Sequence, residues 1–234
     1  MGVIYFIRHG QASFASDNYD RLSGLGRRQS EILGQYLAET GMGFDAVYSG
    51  DMVRQMDTAN IVLERLGHGG DELVIDPDLN EYSSFIILKA LLPEMIADDP
   101  SLERAVEGMY KDNRSFQKVY EKGMLRWVST DRDIPGLGSW SGFHRRTQQA
   151  IRRIMAENQG SGRRVAVFTS GGPISSVMNM ALGLDDEVTL RITWQIVNSS
   201  ITACKFSGDR FFLWSFNSIA HLDQARDAAL ITYR

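Results

Sequence analysis

The sequence predicts an α/β fold in which a mostly parallel central sheet carries helices on both faces. Three observations lead there. Short apolar, β-rich runs alternate with longer stretches of helical periodicity. The runs are nearly continuous in apolar residues, as strands covered on both faces are. Each run also opens at its carboxyl end into a polar or glycine-rich loop.

Gly2 to Ile7 reads as a buried strand that opens into Arg8-His9-Gly10-Gln11. Leu25, Ile32, Leu33, Tyr36 and Leu37 then recur at helical spacing, with Ser23 placed to cap the helix and Gly41 to stop it. The unit repeats: Phe44 to Tyr48 is a strand, Ser49-Gly50-Asp51 a turn and cap, and Met52 to Leu66 a helix. Leu73 to Ile75 is a short third strand before the polar loop Asp76 to Glu81. From Ser84 to about Tyr120 the pattern is helical, with breaks expected near Pro93 and Pro100. A polar, Gly-rich piece, Thr130 to Gly142, precedes a helix carrying Phe143, Ile151, Ile154 and Met155. A fourth strand, Val165 to Phe168, runs through Thr169-Ser170-Gly171-Gly172 into a helix from Pro173 to Leu182. Ile196 to Phe206 and Phe211 to Phe216 flank Ser207-Gly208-Asp209-Arg210, a hairpin pattern.

Composition narrows the function. With 25 basic and 29 acidic residues the formal charge is −4, interspersed along the chain, so a nucleic-acid partner is not expected: polyanion binding needs a concentrated basic face. Cys204 is the only cysteine, which excludes a disulfide framework and a cysteine zinc site and suits a reduced, cytoplasmic setting. His9, His68, His144 and His221 show no ligand spacing, so no metal and no cofactor are expected. The first apolar run is too short to span a bilayer and has no basic leader, and no membrane partner is expected. No linker divides the chain, and residues 1–234 read as a single domain.

In open α/β sheets ligands bind beyond the carboxyl ends of the strands, so the loops there are compared with one another. They carry Arg8 and His9, then Arg54 just after Ser49-Gly50-Asp51, then Glu81, then Ser170 and Gly171. The set suits phosphate chemistry. Arg presents a planar fork matched to phosphate oxygens, and amides at a helix N-terminus add a positive field. A neutral imidazole can attack phosphorus and hold the phosphoryl group covalently, and a carboxylic acid can protonate the leaving oxygen. A competing reading makes Ser170 a hydrolase nucleophile, but the G-x-S-x-G elbow is incomplete because Phe168 replaces its first glycine.

Several stretches resemble the histidine phosphatase superfamily, also called phosphoglycerate mutase-like. Ile4 to Gln11 is similar to its Arg-His-Gly signature. Asp20-Arg21-Leu22-Ser23 with Gly26 and Gln29 resembles its D-x-L-T-x-x-G-x-x-Q stretch, and Tyr48-Ser49 with Arg54, Thr58 and Ala59 its YSS-x-x-x-R-x-x-x-TA segment. Asn198 to Thr202 and Asn217 to Leu222 are similar to its last strands and tail. The resemblance implies a three-layer phosphoglycerate mutase-like fold with a helical cap insertion over about 82–142, where substrate specificity would lie. It implies His9 as the phosphorylated nucleophile, Arg8 and Arg54 as clamps on the phosphoryl oxygens, Glu81 as the acid, and no metal.

One position departs from the pattern. The family reads V-x-V-V-x-H-G-G after the fourth strand, and aligning its glycines with Gly171-Gly172 puts Ser170 where a second histidine is expected, with His144 and His221 as the candidates to replace its charge. The expected activity is metal-independent hydrolysis of a phosphate monoester, the substrate a phosphorylated small molecule; the alternative is a weak or inactive phosphate-binding protein on the same fold. A mutase would need further cations, and Arg114, Lys118, Arg145 and Arg146 read as exposed helix charges. Tyr82, Phe85, Trp127 and Trp140 read first as core and second as pocket. A homodimer is among the assemblies left open.

Overall fold

The computed structural model describes residues 1–13, 20–67, 73–109 and 112–233; His68 lies outside them. Six strands form one sheet: β1 (Gly2–Arg8), β2 (Ala46–Ser49), β3 (Leu73–Ile75), β4 (Arg164–Thr169), β5 (Ile201–Ser207) and β6 (Arg210–Ser218). Their order is β3-β2-β4-β1-β5-β6. The first four are mutually parallel, and β5 and β6 add an antiparallel hairpin beside β1.

Alternation along the strands builds two cores. Ile4, Phe6, Val165 and Val167 face one way and meet Ile151, Ile154 and Met155 of α6 (Trp140–Glu157) with Ile174 and Val177 of α7 (Gly171–Leu182). Tyr5, Ile7, Ala166 and Phe168 face the other way and meet Leu33 and Leu37 of α1 (Gly24–Glu39) with Ala59, Val62 and Leu63 of α2 (Val53–Leu66). The result is the three-layer α/β/α arrangement expected. Ser23 caps α1 as read, its hydroxyl accepting from Gly26 N at 3.0 Å. Cys204 is buried in the first core, which pushes its thiol up to about 12.

A third apolar cluster sits beyond the sheet. It joins α3 (Ser84–Asp98), α5 (Asn113–Thr130) and the start of α6, with α4 (Leu102–Gly108) and α8 (Asp186–Thr193) alongside. The break expected at Pro93 does not occur: Pro93 lies inside α3, which ends only at Asp98. Ile87, Leu91 and Met95, one stripe of α3 spanning that position, are buried in the cluster, and this packing overrides the missing N–H. Phe85, read with the aromatic group, is 66% exposed, whereas Tyr82, Trp127 and Trp140 are buried together.

Other differences move boundaries. The helix after the fourth strand begins at Gly171 rather than Pro173, α6 begins at Trp140, and β5 begins at Ile201 after a loop from Ile196. The short helices α8 and α9 (Ala220–Ala225) add to the elements expected; Asp185 caps α8, its side chain accepting from Val188 N. Among the described residues no helix is long and apolar enough to cross a membrane.

Candidate active site

The end of β1 delivers Arg8 and His9 to the junction between the two halves of the sheet. His9 is held by its backbone: its N–H donates to Thr169 O at the end of β4, and its carbonyl accepts from Asn198 Nδ2 and Ser199 N. Gly10 then lets the loop lie on α1. A Cβ there would stand 2.3 Å from the carbonyl oxygen of Gly26, so no other residue fits without moving backbone. Gly10 N in turn donates to Thr58 Oγ1 of α2 at 3.0 Å.

This anchoring orients the imidazole. Nδ1 lies 2.6 Å from Gly10 O, and a carbonyl can only accept, so Nδ1 carries the proton and Nε2 the lone pair. Nε2 faces Arg54, whose Nε donates to it at 3.0 Å. His9 is 5% exposed. Burial first, then the Arg54 and Arg8 charges, hold its pKa well below 6.5, so the ring is neutral and nucleophilic at neutral pH.

Arg54 is itself fixed by Asp20, a residue singled out only as part of a motif. Asp20 Oδ1 accepts from Arg54 Nη1 at 2.6 Å, and Oδ2 from Val53 N at 2.9 Å. The second bond supplies the cap of α2, whose own cap position, Met52, offers no side-chain acceptor. The cap expected from Ser49-Gly50-Asp51 therefore comes from elsewhere in the chain.

Arg8 is buried beside Gly171, a Cβ on which would stand 3.9 Å from Arg8 Nε. Its Nη1 donates to Ile196 O and its Nη2 to Tyr233 O at 2.9 Å. Both terminal nitrogens thus hold backbone carbonyls, and what Arg8 gives the site in this arrangement is charge.

Glu81 follows the 3-10 turn Pro77–Leu79. Its Oε2 accepts from Gly172 N at 2.8 Å and its Oε1 from Tyr82 N at 3.1 Å. A Cβ on Gly172 would stand 2.0 Å from Oε1, so glycine there is what lets the carboxylate dock on the first turn of α7. Burial raises the Glu81 pKa above the usual 4.5, while the Gly172 amide and the Arg54 charge pull against that rise.

Ser170 is the cap residue of α7, yet its hydroxyl does not cap. Instead Oγ accepts from Gln55 Nε2 at 2.8 Å, and both residues are fully buried. The charge sought from His144 or His221 is not supplied. His144 pairs with Ser176 and His221 with Ser199, and burial lowers each to about 4, leaving both neutral. Arg146, read as an exposed helix charge, is instead half-buried, its Nη2 donating to Asn80 O at 2.9 Å. Among the described residues no group of three or more His, Cys, Asp or Glu is arranged to hold a metal.

The site thus gathers an imidazole, two guanidinium charges, a carboxyl group of raised pKa and a helix N-terminus. A model of the histidine phosphatase superfamily (branch 1) matches residues 4–106 and 86–219. The chain is 31% identical over 86 residues to a 2,3-bisphosphoglycerate-dependent phosphoglycerate mutase of Allorhizobium ampelinum, covering 34% of this chain and 41% of that protein. It is 41% identical over 63 residues to the mitochondrial serine/threonine-protein phosphatase Pgam5 of Caenorhabditis elegans, covering 27% of this chain and 22% of that one. The matches therefore span less than half the length of these curated relatives. A mycobacterial glucosyl-3-phosphoglycerate phosphatase solved with inorganic phosphate superposes with a TM-score of 0.63 at 21% identity, over 94% of this chain and 98% of that one, a likeness of fold.

Proposed function

The chain belongs to the histidine phosphatase superfamily, and from that premise we propose that it hydrolyses a phosphate monoester of a small molecule through a phosphohistidine on His9. One observation carries the reading. Nδ1–H is committed to Gly10 O, which leaves the lone pair on Nε2, in a neutral ring, facing the Arg54 guanidinium.

The chemistry follows from these groups. Nε2 attacks phosphorus as the P–O ester bond breaks, and the departing oxygen takes the proton of Glu81, whose raised pKa keeps it protonated further up the pH scale than an ordinary carboxylic acid. Arg54, the Arg8 charge and the Gly171 amide at the start of α7 offset the charge of the phosphoryl oxygens. Water then attacks phosphorus and gives a proton to Glu81; the P–N bond breaks, returning neutral His9 and inorganic phosphate. No step is assigned to a metal or cofactor.

A second reading, phosphate binding without turnover, is favoured by a specific observation: Ser170 brings no charge, and its hydroxyl is already bonded to Gln55. Turnover separates the two. Wild-type protein is assayed on alkyl and aryl phosphate monoesters at acidic and neutral pH, with acid-labile phosphoenzyme trapped on the same time scale. Phosphate release and trapped phosphoenzyme, both lost in His9→Ala, support hydrolysis; saturable phosphate binding with wild type and variant equally inert supports the second reading.

A further inference from the structure

β6 closes the sheet on the side away from β3, paired only with β5, and none of its nine residues is buried. One of its faces is occupied: Phe211, Leu213 and Phe216 pack against the first core. The other is not. Among the described residues the second core takes in Ile201 and Ala203 of β5 but no residue of β6, and Phe212 and Trp214 are left 48% and 54% exposed. Lys205 Nζ, 4.3 Å from the Trp214 ring centroid, holds the indole from the β5 side and leaves its outer side to the edge.

The backbone on that outer side has no strand partner either. Gly208 and Asp209 make a two-residue turn, so Ser207 and Arg210 are the closing pair of the hairpin. Alternation from that pair turns the N–H and C=O groups of Phe211 and Leu213 outward. Natural edge strands are blunted by short length, by proline or by charged side chains. Arg210 is the only charged residue of β6, and the strand contains no proline. A bulge at Trp214, where the register against β5 shifts, ends the regular stretch, so Arg210 to Trp214 is the segment open to a further strand.

We propose that this segment pairs with the same segment of a second copy of the chain, antiparallel about a two-fold axis at Phe212, so that two six-stranded sheets become one. The sequence fits itself in that register. Phe211 and Leu213 of the two copies face each other and exchange their outward backbone hydrogen bonds. Phe212 meets Phe212 of the second copy in the pair without backbone bonds, where side chains come closest. Arg210 falls opposite Trp214 of the second copy, on the face that the second core leaves uncovered, and symmetry repeats the contact at the other end of the seam. The one cation of the strand thus meets an exposed aromatic ring and stays away from its own symmetry mate. That charge complementarity is what favours a second copy over a strand of another protein, which would have to supply both the ring and the cation.

Sedimentation velocity at micromolar protein tests the pairing without reference to turnover. Wild-type protein is expected at twice the monomer mass. Phe212→Lys sets two ammonium groups on the axis and should give monomer, with near-UV circular dichroism kept because the side chain is exposed; Val74→Lys, on the exposed strand at the opposite edge, should leave the dimer intact. Phe212→Cys reads the register. A pair without backbone bonds holds its Cα atoms about 4.5 Å apart, within the span of a disulfide, so mild oxidation should convert this variant to a covalent dimer, and Cys204, the only native cysteine, is buried and does not compete. Monomeric wild-type protein overturns the proposal, as does a dimer that survives Phe212→Lys or comes apart in Val74→Lys. A Phe212→Cys protein that stays dimeric but does not cross-link overturns the pairing about Phe212.

Discussion

Arg54 Nε donates to His9 Nε2 at 3.0 Å, the atom that the tautomer leaves as nucleophile. The bond puts the clamp and the attacking atom in one place before any phosphate arrives, and the same charge helps keep the imidazole unprotonated. A phosphoryl group entering there meets a guanidinium already desolvated and already oriented, which is the arrangement that electrostatic catalysis requires.

Asp20 keeps that guanidinium in place, and its two oxygens allow its two roles to be separated. Asp20→Asn retains an acceptor for Val53 N and loses the carboxylate charge that faces Arg54; Asp20→Ala loses both. Either variant is expected to lower kcat/KM by about ten- to a hundredfold, the scale of a misplaced positioning group. Only Asp20→Ala should also lose about 0.5–2 kcal/mol of stability with the cap. Steady-state kinetics and urea unfolding of both variants check this; equal stability losses would show that Asp20 does not cap α2.

The rate should be bell-shaped in pH. His9 must be neutral, so the acid limb lies well below 6.5; Glu81 must be protonated, so the alkaline limb lies above 4.5. The optimum of kcat/KM therefore lies between these two limbs, the lower set by His9 and the upper by Glu81. Glu81→Gln removes the alkaline limb and leaves the acid limb. A wild-type profile that keeps rising from pH 5 to pH 8 would exclude Glu81 as the acid.

Much of this site was legible in order along the chain, because the strand-loop-helix rhythm delivers His9, Arg54, Glu81 and Ser170 to one edge of a parallel sheet. What was not legible depends on pairings across distance. Asp20 as the cap of α2 needs a contact over 33 positions, and Gln55 as the partner of Ser170 one over 115. Arg146 looks like any helix charge until the fold brings Asn80 O and Phe143 to it. Pro93 misled for a similar reason: a local rule was overruled by the packing of α3 on α5.

Buried histidines away from the reacting groups should make the fold acid-sensitive. His144 and His221 are lowered to about 4 by burial, whereas unfolded histidine titrates near 6.5. Between those values the unfolded chain binds protons that the native one does not. Their contribution is thus fully present above 6.5 and is lost as pH falls toward 4, by up to about 1.4 kcal/mol per pH unit for each. The raised pKa of Glu81 works in the opposite direction over part of that window. Urea midpoints at pH 7 and pH 4.5 measure the drop, and His221→Gln should shrink it; a drop unchanged in that variant would assign the acid sensitivity elsewhere.

Restoring a histidine at position 170 is a sharper probe of the pocket than removing one. Ser170 has no exposed surface, and its hydroxyl sits against Gln55, which is equally buried. Gln55 is itself wedged: a Cβ on Gly50 would stand 2.0 Å from its Oε1, while its Nε2 also reaches toward Leu79 O at 3.5 Å. An imidazole at 170 therefore enters filled space and takes from Gln55 the hydroxyl it donates to. Overpacking of this kind costs about 1–3 kcal/mol, so Ser170→His alone is expected to lower Tm without raising turnover. Pairing it with Gln55→Ala clears the volume, and the double variant should recover stability relative to Ser170→His and exceed wild type in phosphatase rate. If Ser170→His by itself raises the rate at unchanged Tm, the room for a histidine was there all along, and Gln55 is not what fills it.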